Sequence, residues 1–341
     1  MTLRPLRLIG PLLGLACGRL HASDYAVEVV EYDASASGAW SDPQTVLGRP
    51  AVDTEGDFSM WEDEVAVVPV FGPWKPREIY RIGENTSLVV RFDHPVVDDP
   101  LNPCGVDFII FGNAILKIGQ NATWLNGDPN LTTVRTSEVL AERGTVSVSQ
   151  DGATWRTFTG PAAPFADDFL PTLGRIYDPE HPEPAPENNE WWGAPTIPTY
   201  PADPALAPAD FNGLTVAQIA TKYGYSAGGT GFDLGTLVPP LEWIQYVKVE
   251  YSAAVGLSPE IDAFADVAPV VIPDLDCDSD VDGDDLDLFE ACATGPAVGP
   301  VTPGCERSDF DQDGDVDHDD FGLLQRCMTG PGVLLDWDCM R

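Results

Sequence analysis

Two runs of aspartate near the end of the chain place carboxylates at alternating positions, and residues 309–320 repeat the pattern of residues 274–285. This is the spacing of an EF-hand-type loop, which binds calcium through oxygens at positions 1, 3, 5, 7 (through the backbone carbonyl), 9 and 12. The first loop supplies Asp274, Asp276, Asp278, Asp280, Asp282 and Asp285. The second loop supplies Asp309, Asp311, Asp313, Asp315, Asp317 and Asp320. The spacing therefore predicts two calcium sites.

Positions 6 and 8 refine this prediction. Position 6 needs a sharp backbone turn and is Gly314 in the second loop, but Ser279 stands there in the first. We expect the first loop to be more strained and to bind calcium more weakly. Val281 and Val316 occupy position 8, where they can join a small core and allow the two loops to pair.

The alternative interpretation is an acidic tail, since blocks of like charge are commonly disordered. A tail explains neither the alternation of carboxylates nor the apolar residues that follow each run at helical spacing. Those residues are Leu286, Leu288 and Phe289 after the first run, and Phe321, Leu323 and Leu324 after the second. A helix leaving each loop explains both features.

No helix is expected to enter either loop, because Pro273 precedes the first and residues 295–304 before the second are rich in glycine and proline. Two loops with exit helices alone resemble a type I dockerin, or the related calcium repeats at the C-termini of secreted bacterial proteins. The resemblance covers residues 273–341 and implies calcium binding and attachment to a cohesin-like or other surface protein. The chain departs from dockerins at positions 10 and 11, the partner-recognition positions, which are Gly283-Asp284 and His318-Asp319.

Cysteines recur in both repeats with nearly the same spacing. We predict one local disulfide between Cys292 and Cys305 and another between Cys327 and Cys339, because small exported domains are commonly stapled in this way. The sequence leaves open whether Cys104 and Cys277 pair with each other or stay free.

The N-terminus, residues 1–22, has the features of a secretory signal, with Arg4 and Arg7 before an apolar run that is too short to cross a bilayer. The alternative is a lipid anchor on Cys17. Both predict export to the extracellular space or the cell surface, in agreement with disulfides and calcium.

The amino-acid composition limits which partners and which fold class are compatible with this chain. The chain has 18 basic and 55 acidic residues, a net charge of −37. Such a field repels nucleic acid and anionic membranes, so we exclude both as partners. The 32 glycines and 32 prolines favour a turn-rich, mainly β body in residues 23–272.

Strand-like stretches recur in this body between turn residues. Predicted strands are 25–32, 65–71, 87–92, 107–111, 144–149, 154–158 and 245–251. Asp151-Gly152 predicts a hairpin turn, and residues 215–223 predict a helix capped by Thr215 and ended by Gly224. Many short strands with long connections favour a jelly-roll-like β-sandwich.

Several sequence segments in the body are similar to those of an uncharacterised β-sandwich domain of secreted bacterial cell-surface proteins. They include Ser87 to Phe92, Val106 to Asn113 and Glu260 to Asp266. The hairpin by itself resembles part of a discoidin or galactose-binding-like domain. These resemblances imply a fold and a location, and no reaction.

Prolines and acids crowd residues 161–208, which predicts a semi-rigid excursion over the sandwich. Its aromatic residues Trp191, Trp192 and Tyr200 have two interpretations. They form a platform on which sugar rings stack, or they pack against the sandwich and anchor the excursion.

Catalytic motifs are not evident. There is no His-Glu-x-x-His helix and no Gly-x-Ser-x-Gly elbow. Asp98 or Asp99 with Asp262 is one conceivable glycosidase pair, but such pairs are defined by separation in space. A structural calcium held by Asp107, Asn113, Glu260 and Asp262 is an alternative use of these acids.

The sequence therefore predicts a secreted, calcium-binding protein. We expect a signal peptide at 1–22, a jelly-roll-like β-sandwich at 23–272 and a small, α-helical, dockerin-like calcium module at 273–341. The first functional hypothesis is a non-catalytic body, with carbohydrate as a candidate ligand, attached to a surface or protein partner. The alternative is a polysaccharide-degrading enzyme that carries a dockerin.

Overall fold

The computed structural model describes residues 22–33, 38–52, 67–119, 124, 128–183, 190–251 and 258–340, with the backbone alone at 136–138. The predicted signal peptide and Cys17 lie outside this part of the chain, except for Ala22. The described residues form a mainly β fold, whose strands are β1 (Glu28–Glu31), β2 (Tyr80–Arg81), β3 (Ser87–Val97), β4 (Phe108–Gly112), β5 (Ile115–Ile118), β6 (Val134–Leu140), β7 (Thr145–Ser149), β8 (Arg156–Thr157), β9 (Arg175–Tyr177), β10 (Trp192–Pro195), β11 (Thr230–Phe232), β12 (Trp243–Glu250) and β13 (Glu260–Asp266). The α-helices are α1 (Val216–Tyr223), α2 (Gly283–Cys292) and α3 (His318–Cys327).

Two antiparallel sheets make up most of the body. The larger has the strand order β1-β3-β12-β7-β8, and the second has the order β11-β4-β13-β2. Alternate side chains of both sheets enter one hydrophobic core, as the period-two geometry of strands requires. That core includes Leu88, Val90 and Phe92 of β3 and Phe108 and Ile110 of β4.

The second sheet is covered on its other face as well. Ile109 and Phe111 of β4 pack there with Ala263 and Ala265 of β13. The segment before β11 crosses this face so closely that a Cβ at Gly229 would lie 2.6 Å from Ile109 Cγ2. A strand buried on both faces loses the apolar and polar alternation by which strands are recognised in a sequence.

The excursion and α1 build a second core beside the sheets. Trp192, Phe211, Ile219 and Tyr223 are all buried in it. As predicted, α1 is capped by Thr215, whose side chain accepts from Gln218 N, and it ends at Gly224 with φ +57°. The excursion also contributes the β9-β10 pair, so it is folded structure with its own core.

The predicted hairpin is present. Strands β7 and β8 pair antiparallel, and the Asp151 carboxylate accepts from the amides of Ala153 and Thr154 at 2.8 and 2.7 Å, next to Gly152 at φ +70°. These hydrogen bonds lower the pKa of Asp151 to about 2. The predicted strand at 65–71 is wrong in its described part, which holds an isolated bridge between Val68 and Phe71.

The C-terminal module, residues 273–340, has a third core. Phe289 of α2 stacks on Phe310 at 5.8 Å between ring centroids, and Val281, Val316 and Leu324 are buried around them. Both predicted local disulfides are present, Cys292–Cys305 and Cys327–Cys339. A third disulfide joins Cys104 of the body to Cys277 of the first loop. Three disulfides indicate folding in an oxidising environment.

Across the described residues, no helix combines the length and the apolar character needed to span a membrane.

Candidate metal centre

The two predicted calcium loops have the same backbone conformation. Residues at position 4, Cys277 and Gln312, have φ values of 69° and 59°, and those at position 6, Ser279 and Gly314, have φ values of 72° and 99°. Left-handed φ at position 6 is the turn that the sequence pattern requires. Ser279 adopts it without glycine's freedom, which is the strain expected for the first loop.

Position 12 closes each loop. The Asp285 carboxylate accepts from Leu275 N at 2.6 Å and from Asp282 N at 2.8 Å. Asp320 makes the same two contacts, from Phe310 N at 2.7 Å and Asp317 N at 2.8 Å. Each pair of acids at positions 9 and 12 also forms the capping box of its exit helix. The residues that fold the loop therefore start the helix.

Several carboxylates of each loop converge. One oxygen from each of Asp274, Asp276 and Asp278 lies within 4.8 Å of the others, and the same is true of two further triplets. These are Asp280 with Asp282 and Asp285, and Asp309 with Asp311 and Asp320. Burial, with neighbouring carboxylates adding to it, raises the pKa of Asp285 to about 7 and the pKa values of Asp274 and Asp276 to about 6. Carboxylates this close repel one another when they are ionised, and a bound cation would relieve that repulsion.

The donor set fits calcium by a further test. Asp274, at position 1 of the first loop, keeps one buried carboxylate oxygen without a hydrogen-bond partner. A buried acceptor without a partner costs about 1 to 3 kcal/mol. All the groups that converge here are carboxylate oxygens, which hard cations such as calcium prefer over softer metals.

The loops do not pair through position 8 as we expected. The main chain of Val281 meets Thr329 instead: Val281 N donates to Thr329 Oγ1 at 3.2 Å, and Val281 O accepts from Thr329 N at 3.0 Å. Val316 makes the same contacts with Thr294, at 3.0 and 2.9 Å. Each Thr lies just after an exit helix, so each loop is held by the other repeat.

The side chains at position 7 of both loops also contact the opposite repeat. The Asp280 side chain accepts from Gly332 N, and the Asp315 side chain accepts from Ala297 N at 2.6 Å. Both donors follow the same Cys-x-Thr-Gly-Pro segments. We call the contacts of Thr294 and Thr329 with the opposite loop the exchanged clamp. The repeated Cys-x-Thr-Gly-Pro motif was the sequence feature that could have revealed it.

No α-helix enters either loop within the described residues, as predicted. A single 3-10 turn, Glu306–Ser308, precedes the second loop. Its Arg307 donates to the main-chain carbonyls of Asp274 and Leu275 in the first loop. Arg307 also brings positive charge to Asp274, which partly opposes the rise in that pKa.

Within the described residues, an acid side chain of the first loop contacts the body, whereas no acid side chain of the second loop does. Tyr200 OH donates to Asp274 Oδ2 at 2.8 Å, and Tyr225 OH donates to Leu335 O at 2.9 Å. Ser279 also packs so closely on Gly224 that a Cβ at that glycine would meet its Oγ at 1.9 Å. With Cys104–Cys277, these contacts bind the module to the body on the side of the first loop.

The aromatic residues of the excursion do not form an exposed platform in this structure. Trp192 is buried in the second core, and Trp191 is half-buried against it. Tyr200 is buried in the module core, where its ring meets Trp337 edge to face at 5.1 Å. Their arrangement matches the anchoring interpretation.

The acids considered for catalysis or a structural calcium lie in separate places. Asp107 precedes β4, whereas Asn113 follows it and donates to Glu260, so Asp107 and Asn113 are about 20 Å apart along the strand. Asp262 accepts from Ala51 N at 2.8 Å, near the Asn113 end. Asp98 instead groups with Asp107 and Asp233. The suggested set of Asp107, Asn113, Glu260 and Asp262 is therefore wrong as one site.

A buried group of acids at the Asn113 end is fastened by backbone amides. Asp167 accepts from Asn113 N at 2.9 Å and from Glu260 N at 3.0 Å. Burial raises the pKa of Asp167 well above its ordinary value and raises that of Glu142 to about 7. These bonds hold the ends of β4 and β13 against the turn at 166–168, which is a structural role.

No protein-family model, curated protein or solved structure matches this chain.

Proposed function

We propose that this is an exported calcium-binding protein, in which a dockerin-like pair of loops folds around two calcium ions and is fastened to a jelly-roll-like β-sandwich. One observation carries the proposal. Two loops offset by 35 residues repeat the same left-handed turns, the same closure by position 12 and the same exchanged clamp, while a buried carboxylate oxygen of Asp274 stays without a partner.

Charge explains why an ion is needed. Each loop has aspartates at all six ligand positions of the pattern, and Arg307 is the basic residue among the charges that act most strongly on Asp274. Bound calcium would cancel the repulsion between the carboxylates and give the buried oxygen of Asp274 a partner. Binding energy then becomes folding energy, as in other small metal modules.

The module is proposed to attach the body to another surface protein. Its first loop packs on the body, so the surface left for a cohesin-like or other partner is that of α2 and α3. Leu288 on α2 and Met328 just after α3 are exposed apolar side chains on this surface. The body is proposed as a non-catalytic carrier, exported to the extracellular space or the cell surface.

Calorimetric titration of the calcium-free mature protein tests the central claim. We expect high-affinity calcium binding accompanied by a gain of helical circular dichroism. Asp309→Ala and Asp320→Ala should each abolish the second site. The matched control is Asp319→Asn, which neutralises an exposed carboxylate at position 11, outside the ligand set, and should keep every site. Unchanged stoichiometry in both alanine variants would overturn the loop assignment.

A further inference from the structure

Three carboxylates from two segments of the body, 98–107 and 233, meet where β3 ends and β4 begins. Asp98 follows β3, Asp107 precedes β4, and Asp233 precedes the short 3-10 turn Leu234–Thr236. One oxygen from each lies within 4.8 Å of the other two. None of the three belongs to the C-terminal loops, so the group is independent of the function proposed above.

Neutral groups hold two of these carboxylates in place. Asp107 is buried, and it accepts from Leu234 N at 2.7 Å and from Asn102 Nδ2 at 2.8 Å. Asp233 accepts from Gly235 N at 2.7 Å. Burial raises the pKa of Asp107 to about 7, and the charges acting most strongly on it are Asp98 and Asp233, both negative. The hydrogen bonds position these acids without cancelling their charge.

A second observation points to a ligand. Asn102 is only 2% exposed, and its Nδ2 donates to Val97 O and Asp107 Oδ1. The Oδ1 of the same amide is buried and has no hydrogen-bond partner. The amide that bonds Asp107, one of the three carboxylates, thus keeps a buried oxygen without a donor. A cation bound next to Asp107 would give this oxygen a partner and would neutralise the carboxylates.

We propose that Asp98, Asn102, Asp107 and Asp233 form a third site for a divalent cation in the body. The ligands are all oxygens, three of them charged, which suits calcium. The segment between Asn102 and Asp107 carries Cys104, whose disulfide reaches the first loop. An ion here fixes the turn from which the C-terminal module is tethered.

The test counts bound calcium by native mass spectrometry and by calorimetry, on the full mature chain. Asp98→Asn and Asp233→Asn keep the shape of each side chain and an oxygen that can accept the existing hydrogen bonds. The matched control is Asp99→Asn, because Asp99 is the adjacent acid and lies outside the group. We expect each of the first two variants to bind one calcium ion fewer than the wild type and the control.

Using both variants protects the test against misfolding, since exposed Asp98 has no core contact to lose, and circular dichroism monitors the fold. If the C-terminal loops bind no calcium, the wild type should still hold one ion that Asp98→Asn loses and Asp309→Ala keeps. The proposal is overturned if Asp98→Asn and Asp233→Asn bind as many ions as the wild type with unchanged affinity.

Discussion

The hydroxyl of Tyr200 donates a 2.8 Å hydrogen bond to Oδ2 of Asp274, so a residue of the excursion contacts position 1 of the first loop, which we propose as a calcium ligand. Asp309 has the equivalent position in the second loop, and its carboxylate accepts from the amides of Asp313 and Gly314 in its own loop. The two loops repeat in sequence, but only the first is positioned by the body within the described residues.

Tyr200→Phe should therefore affect one site and spare the other. The variant keeps the ring that packs on Trp337 but loses the bond to Asp274, which costs about 1 kcal/mol. We expect calorimetry to show a severalfold weaker first site and an unchanged second site. Tyr225→Phe is the matched control, since its hydroxyl donates to the Leu335 carbonyl and to no loop carboxylate. Equal weakening of both sites would contradict this coupling.

The exchanged clamp predicts that a substitution in one repeat weakens the loop of the other. Thr329→Val keeps the size of the side chain but removes the acceptor for Val281 N, so it should destabilise the first loop by about 1 to 2 kcal/mol. Thr294→Val should destabilise the second loop to the same extent. Calcium titration of each variant, with exposed Thr302→Val as control, measures which site changes. An effect confined to the variant's own repeat would refute the exchange.

The disulfide between Cys104 and Cys277 should stabilise the whole chain. It joins residues 173 positions apart, and the chain-entropy model gives such a cross-link up to about 5 kcal/mol. Replacing both cysteines by serine should lower the melting temperature and separate the unfolding of the module from that of the body in calorimetry. Replacing Cys292 and Cys305, only 13 positions apart, should destabilise the module alone. Calcium stoichiometry should survive the first change, because sulfur is not a ligand.

Stability without calcium should fall as pH rises. Burial raises the pKa of Asp274 to about 6 and that of Asp285 to about 7, above the ordinary value near 4 of the unfolded chain. A raised folded pKa adds stability that is complete below about pH 4 and is lost as pH rises through 6 to 7. Thermal unfolding of resin-stripped protein at pH 5 and pH 8 should show the module melting at a lower temperature at pH 8.

Calcium should reverse that dependence. The ion binds ionised carboxylates, so its affinity should increase from pH 5 to pH 8 and binding near pH 6 should release protons. Calorimetry in two buffers of different ionisation enthalpy measures this release. The same apparent enthalpy in both buffers at pH 6 would show that these acids are already ionised in the calcium-free protein.

Local chemistry let the sequence predict several elements correctly. The Thr215 cap, the Gly224 stop, the Asp151-Gly152 turn and the two short-range disulfides are all set by residues within about a dozen positions of one another. The left-handed turn at position 6 and the closure by position 12 are of the same local kind, because both act within twelve residues. Strand β4 was also found, since its apolar run is long enough to stand out.

Other strands were not predicted from the sequence, and the reasons are physical. β11 contains Gly231, and the segment before it has Gly229 at a position where side chains of β4 leave no room. β9 and β10 lie in a stretch whose prolines and acids indicate an excursion, yet their buried side chains stabilise a second core. Burial against a partner segment overrides local propensity there, and no periodicity in the sequence records it.

The sequence alone thus determined that aspartates recur at the spacing of an EF-hand-type loop, that a helix follows each loop and that each repeat contains a local disulfide. Tertiary structure alone decided that Thr294 and Thr329 each bond to the loop of the other repeat and that Cys104 pairs with Cys277. It also decided that Tyr200 is buried against Asp274 and that Asp98, Asp107 and Asp233 meet. Each of these contacts joins segments that are separate in sequence. Such contacts depend on how sheets and loops pack, and the spacing of residues along the chain does not encode that packing.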